Sequence, residues 1–89
     1  MKIVDGFVLR PLGEEFLVIG EGISQINFNK MISLNSSAAY LWRNVEGKEF
    51  SVEDLAKLLT DAYEVDYDKA LSDAQVLADK WIEAGIVAE

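Results

Sequence analysis

The chain has 89 residues, a formal net charge of −8 and neither His nor Cys. Its length suits one small domain over residues 1–89, and its 51% of hydrophobic residues predict a packed core rather than disorder. Without Cys and His there are no disulfides, thiolate metal sites or thiol nucleophiles, which leaves only carboxylates and hydroxyls for catalysis or metal binding. This composition favours recognition over catalysis, and we expect no cofactor.

The charge is concentrated in the second half of the chain. Residues 1–50 hold five basic and six acidic side chains, whereas residues 51–89 hold three basic and ten acidic ones. Such a surface repels phosphate backbones and anionic lipid, so neither nucleic acid nor a membrane is an expected partner. The sequence has no signal-peptide pattern and no apolar run approaching about 18 residues, which favours a cytoplasmic protein.

The first third of the chain predicts strands. Residues 7–10 and 15–19 are short β-branched and aromatic runs, and residues 11–14 between them have the composition of a hairpin turn. Gly, Ser and Asn interrupt the apolar positions of residues 20–29, which we interpret as a connection. Residues 31–34 form the third predicted strand.

Three helices are predicted next, and the first two have local start signals. Asn35 or Ser36 can cap the first helix, which Gly47 ends. Ser51 and Asp54 form a pair that resembles a capping box at the start of the second.

The third helix is predicted to begin near Asp66 or Tyr67 and to run to Ala84, with Gly85 after its last turn. The order of elements predicts an α+β fold, in which a three-stranded antiparallel sheet packs on a three-helix bundle. Apolar residues at helical spacing are the predicted core: Ala38, Leu41, Trp42 and Val45 in the first helix, Val52, Leu55, Leu59 and Ala62 in the second, and Ala70, Leu71, Ala74, Leu77, Ala78, Trp81 and Ile82 in the third.

The candidate reactive groups have structural explanations. The acidic pairs lack the alternating ligands of a calcium loop, and those in first helical turns complement the helix dipole. Ser36 and Ser37 at a helix start are similar to the serine of acyl carrier proteins, but the Asp-Ser-Leu motif is missing, so capping is the favoured role. Trp42 and Trp81 lie on apolar stripes, which favours a core role over a ligand pocket.

The third predicted strand is a candidate binding edge. If the hairpin pairs with one side of residues 31–34, the other side leaves backbone donors and acceptors open beside apolar side chains. An extended peptide could add a strand there. The alternative is an edge that the 20–29 connection covers.

The order and spacing of several motifs resemble the PqqD-like family, over nearly the whole chain. These motifs are Ile32-x-Leu34-Asn35-x-x-Ala38-Ala39-x-x-Trp42, Ser51-Val52-Glu53-Asp54-Leu55, Tyr63-x-Val65, and Trp81-Ile82-x-x-Gly85-Ile86-Val87. The family comprises recognition elements of pathways for ribosomally made, post-translationally modified peptides.

The resemblance implies a winged-helix-like domain that is not an enzyme. Members bind the leader segment of a precursor peptide as an extra antiparallel strand, in the groove between the third strand and the third helix, and present the core segment to a modifying enzyme, often a radical S-adenosylmethionine enzyme. The corresponding peptide-binding residues here would be Lys30, Met31, Ile32, Ser33 and Leu34 on the strand and Leu71, Ala74, Gln75 and Ala78 on the helix. The alternatives are a winged-helix DNA-binding or transcription-related domain, which the acidic helices disfavour, and a phosphopantetheine carrier protein.

Overall fold

The computed structural model describes residues 1–20 and 31–89. The chain order is β-β-β-β-α-α-α-β, and the described elements are β1 (Lys2–Ile3), β2 (Phe7–Leu12), β3 (Glu15–Gly20), β4 (Met31–Leu34), α1 (Ser36–Val45), α2 (Val52–Ala62), α3 (Tyr67–Ala84) and β5 (Val87–Ala88). The predicted α+β fold is confirmed, since an antiparallel sheet of order β2-β3-β4 is followed by the three helices. The irregular stretch 20–29 lies, apart from Gly20, outside the described residues.

The hairpin of β2 and β3 turns more tightly than the sequence predicts. Pro11 and Leu12 continue β2, opposite Phe16 and Glu15, so the turn consists of Gly13 and Glu14 alone. Gly13 has a φ of +63°, a conformation that favours glycine, at the first central position of a two-residue turn. The shorter turn extends the ladder by two residue pairs.

The helix starts follow the predicted local signals. The Asn35 side-chain oxygen accepts a hydrogen bond from the backbone N–H of Ala38 at 2.8 Å, so Asn35 is the cap of α1. Ser51 and Asp54 form a reciprocal capping box at α2, with N···O distances of 2.9 and 3.1 Å. Asp66 precedes α3, and its side chain makes no capping hydrogen bond.

The core lies where α1 packs against the three-stranded sheet and α3 packs against α2. Trp42 and Trp81 meet there edge to face, with ring centroids 5.4 Å apart at 86°, and both are fully buried. The predicted core of α1 is confirmed. In α2, Ala62 is exposed and Ala56 is buried instead, because the helix turns its final residue toward solvent.

A second, two-stranded sheet joins the two ends of the described chain. β1 and β5 pair antiparallel, with Ile3 opposite Val87. The chain reaches this pairing through Gly85, which has a φ of +80° and lets the N–H of Ile86 bond to the carbonyl of Trp81 at 3.1 Å. Two-residue strands have no measurable periodicity, so the sequence analysis did not predict this sheet.

Candidate functional site

β4 lies at one edge of the three-stranded sheet. Its residues Met31 to Leu34 pair with β3 from Ile19 to Phe16, and among the described residues no strand pairs with its other side. The opposite edge is β2, where Pro11 lacks a backbone N–H and disfavours further pairing. β4 has no proline, so it is the edge better suited to accept another strand. The alternative of an edge covered by the 20–29 connection falls on residues outside the described ones.

The residues of β4 alternate between two faces of the sheet. Leu34 is buried, and Ile32, opposite the fully buried Val18, packs partly against the core. Ser33 is exposed on the other face, opposite Leu17. Met31 begins the strand, whereas the predicted site residue Lys30 lies outside the described residues. Its core-facing side chains therefore anchor β4 beside β3, and no described strand pairs with its other edge.

A groove of about 320 Å³ opens where β4 ends and α1 begins. Its volume is at the lower end of the range for ligand pockets, roughly 300–1,000 Å³. Three elements supply its lining, which is apolar at the centre and polar at the margins: Asn35, Ser37, Ala38 and Leu41 around the start of α1, Leu59 of α2, and Asp73, Val76, Leu77 and Lys80 of α3. An extended chain along β4 would reach this groove directly, since Asn35 is the residue after the strand.

The sequence did not identify the residues that line this groove, and Val76 is the clearest example. It is 52% exposed, unusually so for an aliphatic side chain, whereas its neighbour Leu77 is partly buried against the core. Val76 is an apolar residue beside the apolar band of α3, at a position where the helical pattern predicts a polar, solvent-facing side chain. This departure from the pattern is the sequence signal that could have identified it.

The four predicted helix residues do not line this groove. Ala74 and Ala78 are buried in the core, and Gln75 donates a hydrogen bond to Asp79 at 2.9 Å on another face of α3. Leu71 is half-buried, and at 3.6 residues per turn it projects about 180° away from Lys80. The groove beside the end of β4 is therefore lined by a different face of α3 from the one that these four residues occupy.

The groove contains two charged side chains in different environments. Asp73 forms a salt bridge with Lys69, with an N···O distance of 3.4 Å. Lys80 has no salt bridge within 4.0 Å to any described residue. Across the described part of the chain, no cluster of acidic side chains is arranged to hold a metal ion, and no described helix has the length and apolarity to cross a membrane.

Ser37 and Arg43, two of the residues behind the alternative functions, make structural contacts. The hydroxyl of Ser37 donates a hydrogen bond to the capping oxygen of Asn35 at 2.9 Å. The guanidinium of Arg43, one of few cations available to a DNA-binding surface, lies 5.1 Å from the ring centre of Phe16. Neither arrangement favours a carrier or a DNA-binding function.

Comparison with protein families gives a clear assignment. The model of the family described as coenzyme PQQ synthesis protein D (PqqD) matches residues 8–87. The chain belongs to the PqqD family. The match includes the hairpin except Phe7, together with β4 and all three helices, and therefore both the strand edge and the groove.

A solved structure has the same fold as this PqqD family member. TbiB1 in complex with the TbiA(beta) leader peptide aligns over 100% of both chains, with a TM-score of 0.75 and 18% sequence identity. No curated protein matches the sequence.

Proposed function

We propose that this protein binds the leader segment of a ribosomally made precursor peptide by strand addition to β4. The observation that carries the proposal is an edge strand without proline that runs directly into an open, largely apolar groove. In such binding, main-chain hydrogen bonds supply affinity, and side chains that enter a neighbouring pocket supply selectivity. The TbiB1 structure, which contains a leader peptide and shares this fold, supports the same use of the chain.

The binding surface in this proposal combines the predicted strand residues with a revised helix wall. The strand residues are those of the sequence analysis: Lys30, Met31, Ile32, Ser33 and Leu34. On α3 we assign the wall to Val76, Leu77 and Lys80, because Ala74 and Ala78 are buried and Gln75 lies on another face.

The protein is a non-catalytic adaptor in this proposal. It holds the leader while a separate modifying enzyme acts on the core segment. By analogy with the family, this enzyme would be a radical S-adenosylmethionine enzyme. The compartment is the cytoplasm, where ribosomes make the precursor. The acidic surface of residues 51–89 is available for contact with basic patches of that enzyme.

The test uses the gene neighbourhood to obtain its probe. We expect a short precursor gene beside this gene, and the probe is a synthetic peptide with the N-terminal half of that precursor. The peptide is titrated into ¹⁵N-labelled protein, with a scrambled peptide as the control. We expect the largest amide shifts in β4, the first turn of α1 and the outer face of α3. Shifts confined to α2 or β2, or equal shifts with the scrambled peptide, would contradict the proposal.

A further inference from the structure

We infer that the groove selects a leader with an acidic residue next to an apolar one, and that Lys80 binds the acidic side chain. The inference rests on the proposed function and adds to it the chemistry and the position of the residues that are recognised. It is based on the polarity of the groove and on the direction of a strand paired with β4.

The lining of the groove defines the side chains that it can accept. Leu41, Leu59 and Leu77 form an apolar floor, and the exposed Val76 extends it toward solvent. An aliphatic or aromatic side chain placed here would remove this surface from water, which stabilises the complex by roughly 25 cal/mol per Å² of buried apolar area.

The charges at the margin favour a carboxylate beside that apolar side chain. Asp73 already has Lys69 as its partner at 3.4 Å, which leaves Lys80 as the groove cation without an ion pair among the described residues. The first turn of α1, on the opposite wall, has no acidic residue that could compete for this ammonium group. The unpaired Lys80 is therefore complementary to an acidic peptide, although the protein as a whole is strongly acidic.

The direction of pairing fixes where these residues lie in the leader. β4 runs from Met31 toward Leu34, and the groove begins at Asn35. A strand paired antiparallel runs the opposite way, so its N-terminal end meets the groove. The lining of α3 from Asp73 to Lys80 spans about 10 Å, which accommodates about three extended residues. The apolar and acidic residues should therefore immediately precede the residues paired with β4.

The experiment is a selection of random peptides displayed on their encoding mRNA. The immobilised targets are the wild-type protein, Lys80→Glu and Lys57→Glu. Lys57 is a matched control, because it is an exposed lysine of α2 that does not line the groove. We expect wild type and Lys57→Glu to enrich Asp or Glu beside an apolar residue, and Lys80→Glu to enrich Lys or Arg at the same position.

The affinities of individual peptides measure how much the charge of Lys80 contributes to binding. For a synthetic peptide from the wild-type selection, Lys80→Glu or the opposite charge change in the peptide should each weaken binding about 1.5- to 5-fold, the range of exposed ion pairs. The two changes together should restore affinity.

The outcomes separate this inference from the proposed function. Suppose that the selected peptides bind the wild type but do not bind a β4 variant that carries a proline and still folds. If these peptides show no acidic preference, or if the same acidic preference appears in the selection on Lys80→Glu, the inference is overturned and strand addition remains. If no selected peptide depends on β4, both are overturned.

Discussion

Proline substitution at two adjacent residues of β4 should separate folding from peptide binding. In an antiparallel pair, successive residues direct their N–H and C=O groups alternately toward the neighbouring strand and away from it. Ile32 and Ser33 are adjacent in β4, so only one of them donates its N–H to β3. Of Ile32→Pro and Ser33→Pro, one should therefore mainly lower the stability of the fold and the other mainly lower the affinity for the peptide.

The magnitudes follow from the hydrogen bond that each proline removes. At the inward position, proline breaks the ladder with β3 and leaves an interior carbonyl unpaired, which costs about 1–3 kcal/mol of the free energy of unfolding. A chain of this length has a total of roughly 4–13 kcal/mol, so the loss is large. At the outward position the ladder is intact, and proline removes one hydrogen bond to the guest peptide. Affinity should then fall about 2- to 13-fold.

The assay measures both quantities on the same four variants. Urea unfolding gives the free energy of unfolding, and fluorescence anisotropy of a labelled leader peptide gives affinity. Ile32→Ala and Ser33→Ala are the matched controls, because they shorten the same side chains and keep the N–H. Strand addition at β4 is refuted if the folded proline variant binds the peptide as tightly as its alanine control.

Three further results are expected from the packing and charge of the domain. Trp42→Ala should lower the free energy of unfolding by about 3–5 kcal/mol, since the side chain is fully buried against Trp81; a loss below about 1 kcal/mol in urea unfolding would contradict this packing. Ser51→Ala should cost about 0.5–2 kcal/mol through the lost capping bond to Asp54, measured by thermal unfolding, and no change in the midpoint would mean that the cap contributes nothing. Raising salt from low to physiological concentration should slow association with a basic peptide or enzyme in stopped-flow mixing, whereas an unchanged rate would remove a steering role for the acidic helices.

The local elements could be predicted from the sequence because their signals are local. Asn35, Ser51 and Gly85 each have a side chain or backbone freedom that suits one position at a helix end, and the structure has them at those positions. The apolar stripe of α1 predicted its buried face for the same reason, because a helix that covers a sheet must turn its apolar side inward. The hairpin also followed from composition, although Gly13 made its turn shorter than predicted.

Which face of α3 lines the groove depended on tertiary structure. The apolar band of α3 is broad, and Leu71 and Leu77 at its two margins are both half-buried. Sequence alone cannot determine which margin faces the end of β4, because packing against the neighbouring helix fixes the rotation of α3 about its axis. The resemblance to the family favoured the margin at Leu71, whereas the groove lies at the margin of Leu77.

The sequence by itself determined the order of β2, β3, β4 and the three helices, the capping box of α2 and the absence of thiol and imidazole chemistry, since each depends on residue type and near neighbours along the chain. Tertiary structure alone decided that β4 lies at the edge of the sheet formed by the described strands, that Val76 and Lys80 lie beside its end, and that β1 pairs with β5. These features join residues far apart in the chain. Their relative positions result from the packing of whole elements, which no local pattern specifies.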